Sequence, residues 1–149
     1  MTEYDFFLEN IPMITDLVIE VQNMTLENLT DCEQLVMKTV WDADEELSLM
    51  EIMQRVNDKY HKEWKPQTVS TFLARLVRKG YLRHYRQGRV FFYQILVPLD
   101  EYKGQLTNDY VNFWNHDNAD EFLCALAQGR PLRQDEVERI QTMIDGLGK

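Results

Sequence analysis

The sequence lacks the features that mark several classes of protein. Only two of its 149 residues are cysteines, Cys32 and Cys124, far apart in the chain. They do not indicate a disulfide scaffold, and in a reducing compartment we expect both to be buried as small apolar side chains. No apolar run is long enough to cross a bilayer, so membrane insertion is not expected. Glu3, Asp5 and Glu9 stand where a secretory signal would carry positive charge, which predicts a cytoplasmic protein.

Residues typical of enzyme active sites are also scarce. The three histidines, His61, His84 and His116, lie in separate segments, and no phosphate-binding glycine loop or nucleophile motif is present. One cluster could be imagined as a hard-metal site: His116, Asp117, Asp120 and Glu121. Such a cluster is more commonly the acidic start of a helix. The sequence therefore predicts no enzyme, no metal site and no cofactor.

Acidic residues are missing from one long stretch. From Lys65 to Leu96 the chain has seven basic residues and no Asp or Glu, although its formal net charge is −9. Residues 1–24 hold five carboxylates without a Lys or Arg, residues 25–64 sum to −6, and residues 97–149 sum to −5. An ordinary solvated face, which is the alternative, mixes both signs. The segregation predicts binding to a polyanion, with nucleic acid as the leading candidate.

Two helices are predicted before this basic stretch. The first is expected to begin after Thr30, with Glu33 completing a capping box, and the second after Ser48, with Glu51 in the same relation. Apolar residues at helical spacing predict the inner faces: Leu29, Leu35, Val36, Val40 and Trp41 in the first helix, and Leu49, Ile52, Met53, Val56 and Tyr60 in the second.

A third helix and a hairpin are predicted within the basic stretch. The helix is expected to begin near Pro66 and to end where Gly80 can adopt a left-handed conformation. Two runs rich in aromatic and β-branched residues, Tyr81 to Arg86 and Arg89 to Leu96, flank Gln87-Gly88, a plausible tight turn. The expected fold is therefore mainly α with a small β-hairpin, a winged helix-turn-helix whose third helix enters the major groove.

The charge pattern and the predicted fold select the same residues for binding DNA. The inner face of the third helix would hold Val69, Phe72, Leu73, Leu76 and Val77, and its outer face Gln67, Thr68, Ser70, Thr71, Ala74, Arg75 and Arg78. Gln67 and Arg75 could pair with purine edges, while the hydroxyl groups suit phosphates or bases. Phosphate contacts are expected from Lys65, Arg78 and Lys79, and hairpin contacts to backbone or minor groove from Arg83, Arg86 and Arg89. The hairpin aromatics are expected mostly to pack in the core or at the sheet edge: Tyr85, Phe91, Phe92 and Tyr93.

Residues 98–149 are predicted to form helices with weak internal cores. Their apolar residues fall on three stripes: Tyr102, Leu106, Tyr110 and Phe113; Phe122, Leu123 and Leu126; and Val137, Ile140, Ile144 and Leu147. A two-fold dimer would cover these stripes and engage two DNA half-sites, so we expect them to form the dimer interface. The alternative is that they fold back onto the winged helix of the same chain.

Three segments resemble the penicillinase-repressor family: LTDCEQLVMKTVW from Leu29, WKPQTVSTFLARLVRKGYL from Trp64, and FFYQILVP from Phe91. The likeness covers residues 29–98 closely and extends more loosely to the C-terminus. The resemblance implies a winged-helix homodimer that binds a pseudo-palindromic operator, represses transcription and dimerises through a C-terminal helical arm. It also implies a recognition helix that includes Gln67, Thr68, Ser70, Thr71 and Arg75, and a wing that includes Arg86 and Arg89.

The resemblance has consequences for regulation. Copper-responsive members would carry a C-terminal cysteine cluster, and because this tail has only Cys124, copper sensing is not expected. The β-lactam-responsive members are cut at an Asn-Phe bond in the arm, by a sensor protease or a downstream protease. An ungapped comparison places Asn108-Asp109 there, whereas the Asn-Phe pair of this chain is Asn112-Phe113. The alternative is that Phe113 and Trp114 are buried helix residues without a role in processing.

The sequence thus predicts an N-terminal extension, residues 1–28, a winged-helix domain, residues 29–97, and a helical dimerisation region, residues 98–149. The spacing after Pro12 indicates a short amphipathic helix in the extension, whose role the sequence does not indicate. The main hypothesis is a dimeric, sequence-specific transcriptional repressor, with regulated proteolysis as one route of release. The alternative is a winged-helix protein-interaction module, and RNA binding is less favoured because no platform of exposed aromatic residues is evident.

Overall fold

A computed structural model describes residues 26–148, and the helix predicted after Pro12 lies outside them. The chain divides into two compact units, the first ending at Lys103 and the second beginning at Gly104. The elements in chain order are α1 (Asp31–Asp42), β1 (Leu47–Ser48), α2 (Leu49–Tyr60), α3 (Pro66–Arg78), β2 (Leu82–Gln87), β3 (Val90–Ile95), α4 (Leu99–Trp114), α5 (Ala119–Gly129) and α6 (Gln134–Leu147).

The first two helices begin at the predicted capping residues. The Thr30 hydroxyl accepts a hydrogen bond from the Glu33 amide at 3.3 Å, and the Ser48 hydroxyl accepts one from the Glu51 amide at 3.3 Å. Each bond satisfies an amide that has no partner within its helix. In α1 the Glu33 side chain does not complete a capping box, because its carboxylate bonds to Lys79 instead.

Helix α3 is bounded as the sequence predicts. Pro66 occupies its first turn, and Gly80, at φ +83°, ends it. The Gly80 amide donates to the Val77 carbonyl at 3.1 Å and the Tyr81 amide to the Leu76 carbonyl at 3.0 Å, the two bonds of a Schellman motif. The chain therefore turns directly from the third helix into β2.

The hairpin forms, but its turn lies one residue later than predicted. Gln87 pairs with Val90, which makes Gly88 and Arg89 the two turn residues. Gly88 has φ +65°, and Arg89 is not among the described residues with positive φ. A glycine at the first central position is typical of a type II′ turn, whose twist matches that of the strands. The predicted Gln87-Gly88 turn is therefore wrong by one position.

A third strand, which the sequence analysis did not predict, completes the sheet. β1 pairs antiparallel with β3, with Leu47 opposite Tyr93 and Ser48 opposite Phe92. The strand order is β1-β3-β2. With only two residues, β1 offers no alternation of polar and apolar side chains that a sequence pattern could reveal.

The core of the first unit lies where the three helices meet the sheet. The strand β3 contributes Tyr93, which is 8% exposed. The fully buried apolar side chains come from the three helices, from β1, and from the start of β2 with the residue before it: Val36, Met37, Leu47, Ile52, Val56, Val69, Leu73, Leu76, Tyr81 and Leu82. Burial raises the pKa of the Tyr81 phenol to about 12. The predicted inner faces are confirmed at eight of fifteen positions, whereas the other seven are only half-buried: Leu35, Trp41, Leu49, Met53, Tyr60, Phe72 and Val77.

Tyr102, predicted to lie on a dimerisation stripe, belongs to the first unit. Its ring stacks on Trp41 at 5.1 Å between centroids and meets the edge of Tyr81 at 5.9 Å. Its hydroxyl accepts a hydrogen bond from the Gln34 side chain at 3.1 Å. These contacts explain why the first compact unit continues past Val97 to Lys103.

The second unit has little internal core. No residue of α4, α5 or α6 is buried. The ring contacts are those of Tyr110 with Phe122 at 6.0 Å and with Trp114 at 6.5 Å, and that of Phe113 with its neighbour Trp114 at 4.8 Å. The turn after α4 includes Asn115, which is 8% exposed. Cys32 is half-buried and Cys124 is exposed, so the prediction that both thiols are buried is wrong for Cys124.

Candidate nucleic-acid interface

Helix α3 presents a polar and cationic face to solvent. Val69, Leu73 and Leu76 are fully buried, which fixes the rotation of the helix about its axis. Thr68 is half-buried, and the other predicted outer residues are exposed: Gln67, Ser70, Thr71, Ala74, Arg75 and Arg78. The predicted separation of inner and outer faces is thus confirmed.

The start of α3 is held in place by a polar clamp. The Asn57 amide group donates to the Trp64 carbonyl at 3.0 Å and accepts from the Trp64 amide at 3.0 Å. Lys65, the exposed N-cap residue, makes no side-chain cap bond, and the first turn has no acidic residue. The helix therefore begins with amides lacking an intrahelical partner and a positive dipole end, which favour an anion such as a phosphate.

The guanidinium of Arg75 is oriented without being covered. It lies 6.0 Å from the centroid of the Phe72 ring, and that ring packs against Trp64 at 4.9 Å. A cation over an aromatic face is held by the quadrupole of the ring. Because Arg75 is still exposed, its hydrogen-bond donors are available to a ligand.

A groove lies between α3 and the sheet, next to the wing, which is the hairpin formed by β2 and β3. The groove is lined by Leu49, Ser70, Ala74, Val77, His84, Phe91 and Tyr93. Arg86 is paired with Phe91 across the hairpin, and its guanidinium lies 5.3 Å from the Phe91 ring centroid. His84 and Arg86 share one face of β2 because successive strand residues alternate. Arg86 therefore lies on the face of the wing that lines the groove, and Arg89 is exposed in the turn beyond it.

Arg83 lies on the opposite face of the same strand. Its Nε donates to Gln94 Oε1 at 3.0 Å, and Gln94 in turn donates to Glu46 at 2.9 Å. Hydrogen bonds from Tyr85 and Gln94, together with the nearby Arg83 charge, hold the pKa of Glu46 below its usual value. The structure thus does not bring Arg83 together with the outer face of α3, contrary to the expectation that it joins the other hairpin arginines.

Lys79 has a structural role that the sequence analysis did not predict. Its ammonium lies 2.8 Å from both carboxylate oxygens of Glu33 and 2.8 Å from the Asn28 carbonyl. An ammonium has three donors, so all of them are used. The Lys79 side chain is 12% exposed and that of Glu33 is 1% exposed. The expectation that Lys79 is a free phosphate contact is therefore corrected: it neutralises a buried carboxylate.

The hairpin aromatics divide between core and surface. Tyr93 is buried, whereas Phe91 is 41% exposed beside Arg86. Tyr85 and Phe92 stack at 5.7 Å on the sheet face that carries Arg83. Packing accounts for these rings, as expected, except at Phe91, which leaves part of its surface open at the groove.

The residues predicted for dimerisation leave much apolar surface in solvent. Three of them are half-buried, Phe122, Leu123 and Ile140, and the rest are exposed: Leu106, Tyr110, Phe113, Leu126, Val137, Ile144 and Leu147. Phe113 is 77% exposed and Trp114 is 64% exposed. The alternative in which Phe113 and Trp114 are buried helix residues is therefore wrong for the chain by itself. Asn108, Asp109 and Asn112 are exposed in α4.

The cluster around His116 forms a local ion pair. His116 Nδ1 lies 2.9 Å from Glu121 Oε2, and this hydrogen bond raises the pKa of the imidazole. Within residues 26–148, no group of three or more His, Cys, Asp and Glu side chains is arranged to hold a metal ion. In that same part of the chain, no helix combines the length and the apolar character needed to cross a membrane.

Three helices, a three-stranded antiparallel sheet and an exposed cationic third helix define a winged-helix protein. A family model described as penicillinase repressor matches residues 29–146. The chain belongs to the penicillinase repressor family.

Several known proteins are similar to this chain. The penicillinase repressor of Bacillus licheniformis is 22% identical over 120 residues, covering 80% of this chain and 91% of that protein. The methicillin resistance regulatory protein MecI of Staphylococcus aureus strain N315 is 23% identical over 125 residues, covering 84% and 98%. A solution structure of the DNA-binding domain of the repressor BlaI is 31% identical, covers 53% of this chain and 94% of that domain, and has a TM-score of 0.45.

Proposed function

We propose that this protein is a sequence-specific DNA-binding transcriptional repressor that acts as a homodimer on a pseudo-palindromic operator. The observation that carries the proposal is the outer face of α3, where polar and cationic side chains are exposed and acidic ones are absent. Family membership supports it, since the family model and the Bacillus licheniformis relative are both named penicillinase repressor. The proposal requires no catalytic step and no cofactor.

The chemistry of the face suits a double helix. Gln67 and Arg75 carry paired donors or acceptors that match purine edges in the major groove, and Arg75 is already oriented by Phe72. Thr68, Ser70 and Thr71 offer hydroxyl groups to bases or phosphates. Phosphate contacts would come from Lys65, Arg78, Arg86 and Arg89. Neutralising phosphates releases counterions, so the affinity should fall steeply as salt rises.

Dimerisation would give the exposed stripes of the second unit a cover. Apolar side chains such as Phe113 and Leu147 are 77% and 85% exposed, an arrangement more typical of an interface than of a solvated surface. A two-fold pair would place two copies of α3 on two half-sites. Light scattering should give twice the mass of the chain. A monomeric mass at all concentrations would instead support the alternative in which the stripes fold back onto the winged helix of the same chain.

Regulated proteolysis in α4 is the proposed route of release. A cut at Asn112-Phe113 or Asn108-Asp109 would separate the DNA-binding unit from most of the apolar stripes and so weaken binding that depends on pairing. Both bonds lie within α4, so that helix would have to open locally before a sensor protease or downstream protease could act. Sequencing the fragments formed in cells after induction would identify the cut, and an intact chain during derepression would exclude this route.

Selection of bound duplexes from a random pool is the decisive experiment. The repressor proposal predicts enrichment of a short inverted repeat, which would report both base reading and two-fold symmetry. The alternative, a winged-helix module that binds an acidic protein, predicts salt-sensitive retention of all duplexes without enrichment. An unenriched pool would therefore reject sequence-specific repression in favour of that module.

A further inference from the structure

We propose that residues 1–25 dock on the cationic face formed by α3 and the wing, and there compete with DNA. This inference rests on the proposed function, because it assigns a second occupant to the same surface. The cationic face consists of the exposed residues Lys65, Arg75, Arg78, Arg86 and Arg89 together with the polar side chains of α3 between them.

The N-terminal segment is anchored where it joins the described chain. Leu26 packs against the core, the Glu27 carbonyl accepts a hydrogen bond from the Tyr81 hydroxyl at 2.6 Å, and the Asn28 carbonyl accepts one from Lys79 at 2.8 Å. Tyr81 and Lys79 immediately follow α3. The segment therefore starts from a fixed point at the C-terminal end of the helix that carries the cationic face.

The N-terminal segment and the cationic face carry opposite charges. Residues 1–25 contain five carboxylates and no Lys or Arg: Glu3, Asp5, Glu9, Asp16 and Glu20. The stretch from Lys65 to Leu96 contains seven cations and no carboxylate, and of these cations only Lys79 forms an ion pair with a carboxylate of residues 26–148. The cationic face thus has the opposite charge, and it belongs to the same stretch of chain that holds the attachment point through Lys79 and Tyr81.

The N-terminal segment is long enough to span the cationic face. An extended chain covers at most about 3.3 to 3.6 Å per residue, so 25 residues could extend far beyond the roughly 20 Å length of a 13-residue helix. The segment is therefore long enough to reach from Lys79 to Lys65 along α3. Since the family match begins at Leu29, this occupant would be specific to chains that carry such an extension.

Docking of this kind would raise the selectivity of the repressor. A tethered segment has a high effective concentration, so it would displace weak, sequence-independent phosphate contacts. An operator that also makes base contacts binds more tightly and would displace the segment. The acidic extension would thus suppress binding to random DNA more than binding to the operator.

The test uses the full chain with its five extension carboxylates replaced: Glu3→Gln, Asp5→Asn, Glu9→Gln, Asp16→Asn and Glu20→Gln. The probe is a duplex of random sequence, titrated at several salt concentrations. We expect binding at low salt to tighten about tenfold, the factor for a tethered competitor whose effective concentration is about ten times its dissociation constant. The difference should shrink as salt screens both interactions.

A matched control carries the same change of net charge in the second unit: Asp109→Asn, Asp117→Asn, Asp120→Asn, Glu138→Gln and Asp145→Asn. If net charge alone governs binding, both variants will tighten equally, and the docking proposal is overturned. Equal binding by the wild type and the extension variant overturns it as well. If none of the three proteins binds duplex DNA, the proposed function itself fails.

A second measurement locates the segment directly. Lys65 carries the exposed amine of the cationic face, at the end of α3 far from the attachment point. Carbodiimide joins carboxylates to amines in direct contact, so in the wild type we expect a cross-link between residues 1–25 and Lys65 that added duplex DNA abolishes. Cross-links confined to Lys38, Lys59, Lys62 or Lys103 would place the segment elsewhere and reject the proposal.

Discussion

Helices α3 and α6 have nearly the same length but opposite surroundings. The 13-residue α3 buries Val69, Leu73 and Leu76 completely, whereas no residue of the 14-residue α6 is classed as buried. Both have apolar residues at helical spacing, so the sequence pattern is equally regular in each. Helical periodicity therefore predicts an apolar stripe on a helix, but it does not indicate whether the same chain or another molecule covers that stripe.

The contrast extends to the two units. The first satisfies its polar groups internally, down to a buried carboxylate paired with Lys79, while the second leaves large apolar side chains such as Phe113 in solvent. A unit with a complete core can position a rigid reading surface. A unit without one depends on another surface for much of its stability. Four predictions, ordered from the largest expected effect to the smallest, test this division.

The largest effect is expected at Lys79. In Lys79→Met the Glu33 carboxylate is left buried without a partner, which should lower the free energy of unfolding of the first unit by about 3 to 5 kcal/mol. Denaturant unfolding followed by tryptophan fluorescence measures this loss. The double variant Glu33→Met/Lys79→Met removes the unpaired charge and should recover most of the stability. If Lys79→Met weakened DNA binding without any loss of stability, the ion pair would not have the role assigned here.

Truncating one leucine in each unit compares them directly. Leu73→Ala should lower the free energy of unfolding by about 2 to 5 kcal/mol, because it leaves a cavity beneath α3. The Leu147 side chain is 85% exposed, so Leu147→Ala should lower the free energy of unfolding by no more than about 0.5 kcal/mol at protein concentrations too low for association. At higher concentrations its cost should grow if a partner covers α6. A cost for Leu147→Ala that equals that of Leu73→Ala at every concentration would remove the distinction between the units.

Two arginine substitutions distinguish contacts to bases from contacts to phosphates within the cationic face. Arg75→Ala should weaken operator binding by about 1 to 3 kcal/mol and relax the preference at one base pair. Arg86→Ala should weaken binding to all duplexes alike and reduce the slope of log affinity against log salt by about 1. Binding curves on the selected repeat and on scrambled duplexes measure both. Neither change should alter the mass of the assembly, and unchanged base preference in Arg75→Ala would mean that this side chain is not the reader.

The smallest effect is expected from acid at the start of α6. Hydrogen bonds from Arg130 and from the Arg133 amide lower the pKa of Glu136 from 4.5 to about 2. The ionised form is therefore favoured in the folded helix, so its contribution is complete above pH 4.5 and is lost as the pH falls toward 2. Helical circular dichroism of the wild type and of Glu136→Gln should converge over that interval. Curves that stay parallel would show that this cap does not support α6.

Local features of the fold could be predicted from the sequence, and non-local ones could not. The Thr30 and Ser48 caps and the Gly80 termination depend on a few neighbouring residues and are all present. The strand Leu47–Ser48 is stabilised by β3, more than 40 residues later, and has too few residues to show a pattern. The hairpin turn was misplaced by one residue because Gln87-Gly88 and Gly88-Arg89 are both compatible with a glycine in the turn.

The same difference between local and non-local features applies to the candidate nucleic-acid interface. The rotation of α3 follows from its apolar spacing, so its outer face was predictable. The ion pair of Lys79 with Glu33 joins residues 46 apart in the chain. One signal could have suggested it: Glu33 lies between Leu29 and Val36 on the inner face of α1, and a carboxylate on a buried face needs a partner. Arg83 and Arg86 lie three residues apart in one strand, so the alternation of strand side chains alone predicts that they point to opposite faces of β2.

The order of the sheet has a consequence for how the protein behaves at high concentration. β2 is an outer strand, and its open backbone groups could recruit a strand from another molecule. Arg83 and Arg86 project from its two faces, and the opposite rim is closed by only two residues of β1. Like charges on stacked copies would repel one another, so the wing is protected against fibre-like aggregation by the same type of side chain that suits it to DNA.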